Sequence, residues 1–396
     1  MKASIAERIQ AALLQENLNG WLFYSFHGSD PIAENILQLD HARLATRRCY
    51  YFVPAVGEPT RLVHAIESEM LNALPGKTKI YLPWQQLHSH LTDILTGSPR
   101  IALQYSPLNA IPYISRIDTG TIELIRSFGA DVVSSADLVE IFEAVWTAEQ
   151  VETHLYAAGH MRKSVDVTFG EFARRIRENI PATELDIRQF IWNQYEERDM
   201  TSSHRPIASI NSHSADPHYQ PDSDHNRSMN EGDFLPIDIW AKKRVAHSVD
   251  DDITWTGYNG RSVPDRHEGT FQIVKNGRDA VIGFVQQSYP GKTLAGWQVD
   301  DSARQSITQA GYGEWFLHRT GHSIHEEDQG NDANFDILEA QDTRQLMRDT
   351  SFSIEPGVYL KGQFGVRSEV NAYLDESKGV VTGKPIQTHV TPILSL

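Results

Sequence analysis

The sequence predicts a protein of mixed α and β structure, α/β (α+β), built as two domains, and three observations carry that expectation. Its 396 residues are too many for one ordinary hydrophobic core. The first ~150 residues alternate helical and strand-like apolar patterns. From Pro206 onward the pattern changes to strand-like runs that hold polar side chains inside apolar frames.

Ile5 to Leu18 repeats apolar residues at helical spacing, and GWLFYSF (20–26) is a short apolar, aromatic run of the kind a buried strand makes. RRCYYFVPAVGEPTRLVHAIE reads as two strands joined at the turn signal Val56-Gly57-Glu58-Pro59. KIYLPW, RIALQYS and ADVVSSADLVEIFEAVWT follow, so the N-terminal domain, residues 1–148, should hold a mixed sheet; it has no phosphate-binding glycine loop. A long helix is expected over 148–179, closed by Pro181, and Thr183 looks like the N-cap of another over 186–197. PIDIWA, DDITWTG, SFSIEPGVYL and FGVRSEVNAYL are the strands of the second domain, residues 149–396, with a helical segment over 265–312 between them.

Composition narrows the function. A hydrophobic content of 40% with 22% charged residues describes a globular chain, and no run of about 18 apolar residues suggests a membrane span. The formal net charge of −16 argues against nucleic acid as a partner and offers no basic patch to anionic lipid. The amphipathic, acid-bearing start lacks the apolar core of a secretory signal, and Cys49 is the lone cysteine. Both lead us to expect the cytoplasm.

The chemistry sits in carboxylates placed inside apolar strands. Asp238 lies in FLPIDIWA, and burying an unpaired carboxylate there requires a cation, hydrogen bonds or a proton. Asp250, Asp251 and Asp252 open DDDITWTG, Glu355 lies in SFSIEPGVY, and Glu369 lies in GVRSEVNAY. Asp238 and Asp252 are 14 positions apart, as are Glu355 and Glu369. Each pair can form a hairpin, turned by AKKRVAHS in the first and LKGQFG in the second. Four inward acids repel one another unless cations neutralise them. With one imidazole added, the set is oxygen-rich and free of thiolate, suited to two divalent ions.

These motifs, with PHY (217–219) and HRTGHSI (318–324), stand in an order that resembles the M24 metallopeptidase superfamily of creatinase, aminopeptidase P, prolidase and methionine aminopeptidase. Its catalytic domain has the pita-bread fold, and the likeness covers residues 150–396; the N-terminal part is more loosely similar to the creatinase-type domain. The resemblance implies metal ligands Asp238, Asp252, His322, Glu355 and Glu369, with Asp252 and Glu369 shared between two ions. Asp252 begins the DIT before the second ligand strand; the hairpin is longer than is commonest in the family, which keeps Asp251 as an alternative ligand.

By the same resemblance the protein is a dinuclear metal-dependent peptidase hydrolysing Xaa-Pro bonds in short peptides, as an Xaa-Pro aminopeptidase or a dipeptidase of the prolidase type. A metal-bridging hydroxide is the nucleophile, and the ions are Mn²⁺ first, with Co²⁺, Zn²⁺ or Fe²⁺ as alternatives. Glu355 shuttles the proton to the leaving amine, and His218 steadies the oxyanion. His318 lines the substrate pocket; Arg367 either braces a ligand carboxylate or lies exposed on its strand. A homodimer is expected. Glu326, Glu327 and Asp328 read as solvated loop acids.

One position departs from the pattern. Gln329 stands where the family's peptidases generally carry a histidine, and glutamine hydrogen-bonds but carries no proton; His325 is a nearby substitute. The departure keeps two other functions open: an M24-fold hydrolase or lyase of a non-peptide small molecule, and a pseudo-peptidase that binds without catalysis.

Overall fold

The computed structural model describes residues 4–39 and 46–396, and the chain divides into two compact units, Met1–Glu143 and Ala144–Leu396. In the first unit α1 (Ile5–Gln15) starts at a capping box in which Ser4 and Glu7 satisfy each other's backbone N–H. Then come β1 (Gly20–Ser25), α2 (Pro31–Ile36), β2 (Cys49–Pro54), β3 (Thr60–His64) and β4 (Lys77–Tyr81). α3 (Trp84–Leu95), β5 (Arg100–Leu103), α4 (Thr119–Ser127), β6 (Asp131–Ser134) and α5 (Ala136–Glu143) complete it.

The six strands form one sheet in the order β4-β3-β2-β1-β5-β6. It is mixed: β1/β2 and β2/β3 are antiparallel, whereas β1/β5, β3/β4 and β5/β6 are parallel. All six residues of β1 are buried, because Trp21 and Phe23 enter one apolar cluster while Leu22 and Tyr24 enter the cluster on the opposite face. Gly57, at φ +119°, makes the β2–β3 turn, a conformation glycine adopts without strain.

The second unit begins with α6 (Ala148–Arg177), capped by Thr147 and Gln150, and α7 (Glu184–Glu197), capped by Thr183 and Asp186. Two short strands, β7 (Met200–Thr201) and β8 (Ile207–Ala208), precede β9 (Phe234–Lys243) and β10 (Asp251–Tyr258). The segment read as one helical stretch is two helices, α8 (Asp265–Ser288) and α9 (Gly296–Gln309). Pro290 and Gly291 part them, since proline has no N–H to continue the helix. The remaining strands are β11 (Ser323–Ile324), β12 (Ser351–Ile354), β13 (Gly357–Leu360), β14 (Phe364–Arg367), β15 (Val370–Leu374), β16 (Gly379–Val381) and β17 (Thr391–Pro392).

One sheet runs β17-β10-β9-β7 with β8 also on β9, another runs β11-β12-β15-β16, and β13 and β14 form a ribbon. Among the described residues no helix is long and apolar enough to cross a membrane.

Candidate metal centre

β9 and β10 form an antiparallel hairpin in which Thr254 faces Asp238 and Asp252 faces Trp240. Side chains two residues apart share a face, so Asp252, Thr254 and Asp238 point to the same side with the two acids diagonal. Glu355 and Glu369 arise differently from the simple hairpin expected. The register that pairs Ile354 with Val370 in β12/β15 is the one that pairs Gly357 with Arg367 in β13/β14, and the ladder breaks between them. The two glutamates flank that break, opposite each other. Glu355 N–H donates to Thr320 O (2.7 Å) and Glu369 N–H to Thr254 O (3.4 Å), which ties the break to the loop before β11 and to β10.

The side chains converge. Asp238, Asp252 and Glu369 offer ligand atoms within 4.8 Å of one another, and so do His322, Glu355 and Glu369. His322 Nε2 lies 3.3 Å from Glu355 Oε1 and 3.8 Å from Asp252 Oδ2. Its Nδ1 is 3.1 Å from Ser323 O, a carbonyl that can only accept, so Nδ1 carries the proton and Nε2 presents a lone pair to the carboxylates. Ser353 fixes this corner: its Oγ accepts from His322 N–H (3.0 Å) and donates to Glu355 Oε1 (3.1 Å).

Hydrogen-bond donors are short in supply. Thr254 Oγ1 lies 3.0 Å from Asp238 Oδ1 and 2.8 Å from Glu369 Oε2, but its single proton serves one of them at a time. Arg367 donates through Nε to Thr254 Oγ1 (2.9 Å), pairs through Nη2 with Asp238 Oδ2, and places Nη1 3.6 Å from Glu355 Oε2. Asp252 Oδ1 and Glu369 Oε1 are buried with no hydrogen-bond partner. Burial lifts Asp252 and Glu369 well above the usual carboxylate range, and repulsion from the other acids adds to it. Asp238 is also raised by burial, against the pull of Arg367. Burial lowers His322, which favours the neutral imidazole a metal requires. Mutually repelling oxygens and an imidazole lone pair aimed at one point fit divalent cations.

The other sequence-predicted residues fall around this core. His318 Nε2 accepts from Tyr359 OH (2.8 Å), its Nδ1 donates to Arg319 O (2.7 Å), and burial pushes its pKa down to about 4. Tyr359 and Arg367 line a narrow cleft of about 20 Å³ beside Asp238, with Asp216 and Pro217 on its rim. His218, the next residue in the chain, does not line that cleft; its side chain is exposed and its N–H donates to Asp216 Oδ1 (3.0 Å). Gln329 is exposed, and its Oε1 accepts from Arg319 Nη2 (3.2 Å). Asp251 is buried away from these groups, bonded through Oδ1 to Asn371 Nδ2 (2.6 Å). His325 is part-buried, with its carbonyl accepting from Asp250 N–H (3.2 Å).

Thr254, Ser353 and Tyr359 escaped the sequence reading, and so did two acids. Asp328 is no wet loop acid: it offers an oxygen within 4.8 Å of ligand atoms of Asp252 and His322. The run Glu326-Glu327-Asp328 looks solvated because nothing in its composition tells which of three acids turns inward. Glu184, fully buried, holds the loop that carries His218. It accepts from Ile210 N–H (2.6 Å), Arg227 N–H (2.9 Å) and Tyr219 OH (2.8 Å) and contacts His213 Nδ1 (3.0 Å). The tyrosine of the PHY motif was the available signal.

Residues 160–376 match metallopeptidase family M24. The chain is 30% identical over 187 residues to a probable dipeptidase PepE of Mycobacterium tuberculosis, a match covering 46% of this chain and 44% of that one. It is 40% identical over 105 residues to an Xaa-Pro dipeptidase of Lactobacillus helveticus, 25% of each chain. The chain therefore spans less than half the length of these curated relatives in sequence. Among solved structures, dipeptidase PepE from Mycobacterium ulcerans superposes with a TM-score of 0.69 at 21% identity, covering 98% of this chain and 97% of that one. Prolidase from Thermococcus sibiricus gives 0.64 at 18% identity, covering 99% and 100%. These likenesses carry the pita-bread architecture and its preceding N-terminal domain.

Proposed function

The chain belongs to metallopeptidase family M24, and on that premise we propose that it is a dinuclear metal-dependent peptidase hydrolysing Xaa-Pro bonds in short peptides, of the aminopeptidase or dipeptidase type. One observation carries this reading: four carboxylates converge with the lone pair of His322 while Asp252 Oδ1 and Glu369 Oε1 lack any partner. Asp238, Asp252, His322, Glu355 and Glu369 would hold two divalent ions, Mn²⁺ first, with Co²⁺, Zn²⁺ or Fe²⁺ as alternatives. When bound, the ions supply Lewis-acid polarisation of a carbonyl and acidify water.

The chain's own groups do the rest. Glu355, between His322 and Arg367, takes a proton from the attacking water and passes it to the leaving amine. Arg367 positions Asp238 and Glu355. His218, on the loop anchored through Tyr219 to Glu184, donates to the developing oxyanion. His318 is neutral at ordinary pH and, with Tyr359, lines the pocket, and Gln329 offers its amide to substrate. The protein works in the cytoplasm as a homodimer, without nucleic acid or membrane as partner; gel filtration with light scattering tests the dimer.

The decisive experiment strips the protein of metal, reloads it with Mn²⁺ or Co²⁺, and assays Xaa-Pro dipeptides and longer Xaa-Pro peptides. Metal-dependent, proline-dependent turnover is expected. Gln329, tied to Arg319, favours one second reading, a hydrolase or lyase of a non-peptide small molecule. Metal binding with every proline peptide left intact would transfer preference to it. A protein that binds no metal would be a pseudo-peptidase.

A further inference from the structure

We propose that Asp328 is a sixth protein ligand of the centre, an extra carboxylate on the ion held by Asp252 and His322. The inference rests on the dinuclear reading and goes beyond its five-residue set. Asp252, His322 and Asp328 each offer an atom within 4.8 Å of the others. Asp252 Oδ1 and Asp328 Oδ1 are both buried and receive no hydrogen bond from any other side chain or amide, the two carboxyls lie within hydrogen-bonding reach of each other, and Asp252 as a whole is only 5% exposed. His322 adds a lone pair at Nε2, its proton being engaged with Ser323 O. Two carboxylate oxygens and an imidazole lone pair in one water-poor corner repel one another, and a shared cation turns that repulsion into coordination.

The loop that carries Asp328 is built to deliver it. Gly330 N–H donates to Ser323 O (2.9 Å), His325 N–H to Glu327 O (3.2 Å), and Asp250 N–H to His325 O (3.2 Å). Lys242 Nζ reaches the Glu326 carbonyl, and His247 Nδ1 lies 3.0 Å from Glu326 Oε1. Gly330 packs so closely that a Cβ would lie 2.7 Å from Ser323 Oγ. These contacts hold both sides of Asp328, while its neighbour Gln329 turns to Arg319. An added hard oxygen suits an ion that accepts high coordination numbers, so it narrows the affinity gap between Mn²⁺ and Zn²⁺ at this half of the centre.

The test is calorimetric titration of the metal-stripped full chain with MnCl₂, comparing wild type, Asp328→Asn and Asp328→Glu, with circular dichroism to verify folding. Wild type should bind two ions. Asp328→Asn keeps the shape and removes the anionic ligand, so one of the two ions should weaken by about 10-fold or more while the other stays within about 2-fold. Asp328→Glu, which keeps the carboxylate, should recover part of the loss. Asparagine binding both ions as wild type does, or weakening both equally, overturns the assignment while leaving the dinuclear reading standing. A wild type that takes up no Mn²⁺ overturns both.

Discussion

Replacing Thr254 with valine probes the centre where its hydrogen-bond shortage is greatest. The substitution keeps the shape of the side chain and deletes one hydroxyl. That hydroxyl accepts from Arg367 Nε (2.9 Å) and serves Asp238 Oδ1 (3.0 Å) and Glu369 Oε2 (2.8 Å) with a single proton. One hydrogen bond to a carboxylate therefore disappears, and the guanidinium loses an acceptor. A bond to a charged group contributes about 1.5–3 kcal/mol. Loss of a group that orients metal ligands typically weakens metal affinity about 10–100-fold, or ~1.4–2.8 kcal/mol. The two scales agree, so Mn²⁺ affinity should fall by about 10–100-fold in Thr254→Val. Thr254→Ser retains the hydroxyl and should stay within about 3-fold of wild type. Calorimetric titration of the metal-stripped proteins reads both numbers. Valine binding as tightly as threonine, or serine as damaged as valine, would refute the claim that the hydroxyl organises the site.

Asp252→Ala should abolish both metal uptake and turnover, read by metal analysis and peptide assay; retention of both would break the ligand set. Gly321→Ala would drive a Cβ into the Ser353 carbonyl and against Phe335, with backbone on one side that cannot yield. Overpacking of this kind costs about 1–3 kcal/mol, and because His322 is the next residue, the melt should drop together with metal affinity. Asp30, fully buried at the N-cap of α2, is pushed by burial from 3.8 to about 7. Its folded pKa lies above the unfolded one, so the folded chain holds the proton in that window and stability falls as pH rises from about 4 to about 7, then levels off. At roughly 1.36 kcal/mol per unit the loss is about 4 kcal/mol at most. Asp30→Asn keeps the cap and should be the more stable protein at pH 8 but not at pH 4, by urea denaturation; a gain equal at both pH values would exclude this cause.

Some of this was legible because a local signal existed. GWLFYS is apolar without a break, and both its faces are covered. Thr183 announced α7 through its reach to Asp186. The equal spacing of the acid pairs pointed to two paired strands, and the β9–β10 register places Asp238 and Asp252 on one face. What was hidden depends on distant chain. The ladder between Glu355 and Glu369 breaks because Thr320 and Thr254 take their amides, a pairing no local pattern encodes. Asp328 turns inward because Ser323, Asp250 and Lys242 fix its loop, and each of these contacts spans a loop or another strand.

The same chain shows why these acids are left short of hydrogen-bond donors while other buried acids are not. Asp336 accepts from three consecutive amides, Leu338 (2.9 Å), Glu339 (2.9 Å) and Ala340 (3.1 Å). Asp342 accepts from Asn334 N–H (2.8 Å) and pairs with Arg344. Those carboxylates sit in turns, where free backbone N–H groups point at them. A strand commits its N–H groups to the ladder, so a carboxylate on its face meets side chains only. Arg367 and Thr254 then cover part of the demand, and Asp252 Oδ1 and Glu369 Oε1 are left over. A proton can answer such a surplus, as at Asp251, which burial raises to about 7. Where several surplus oxygens meet one imidazole lone pair, a divalent cation answers it with fewer particles and more charge. The motif spacing matters because it sets Asp238 and Asp252 on one face of paired strands and Glu355 and Glu369 at the break between two strand pairs, where donors for the carboxylates are scarce.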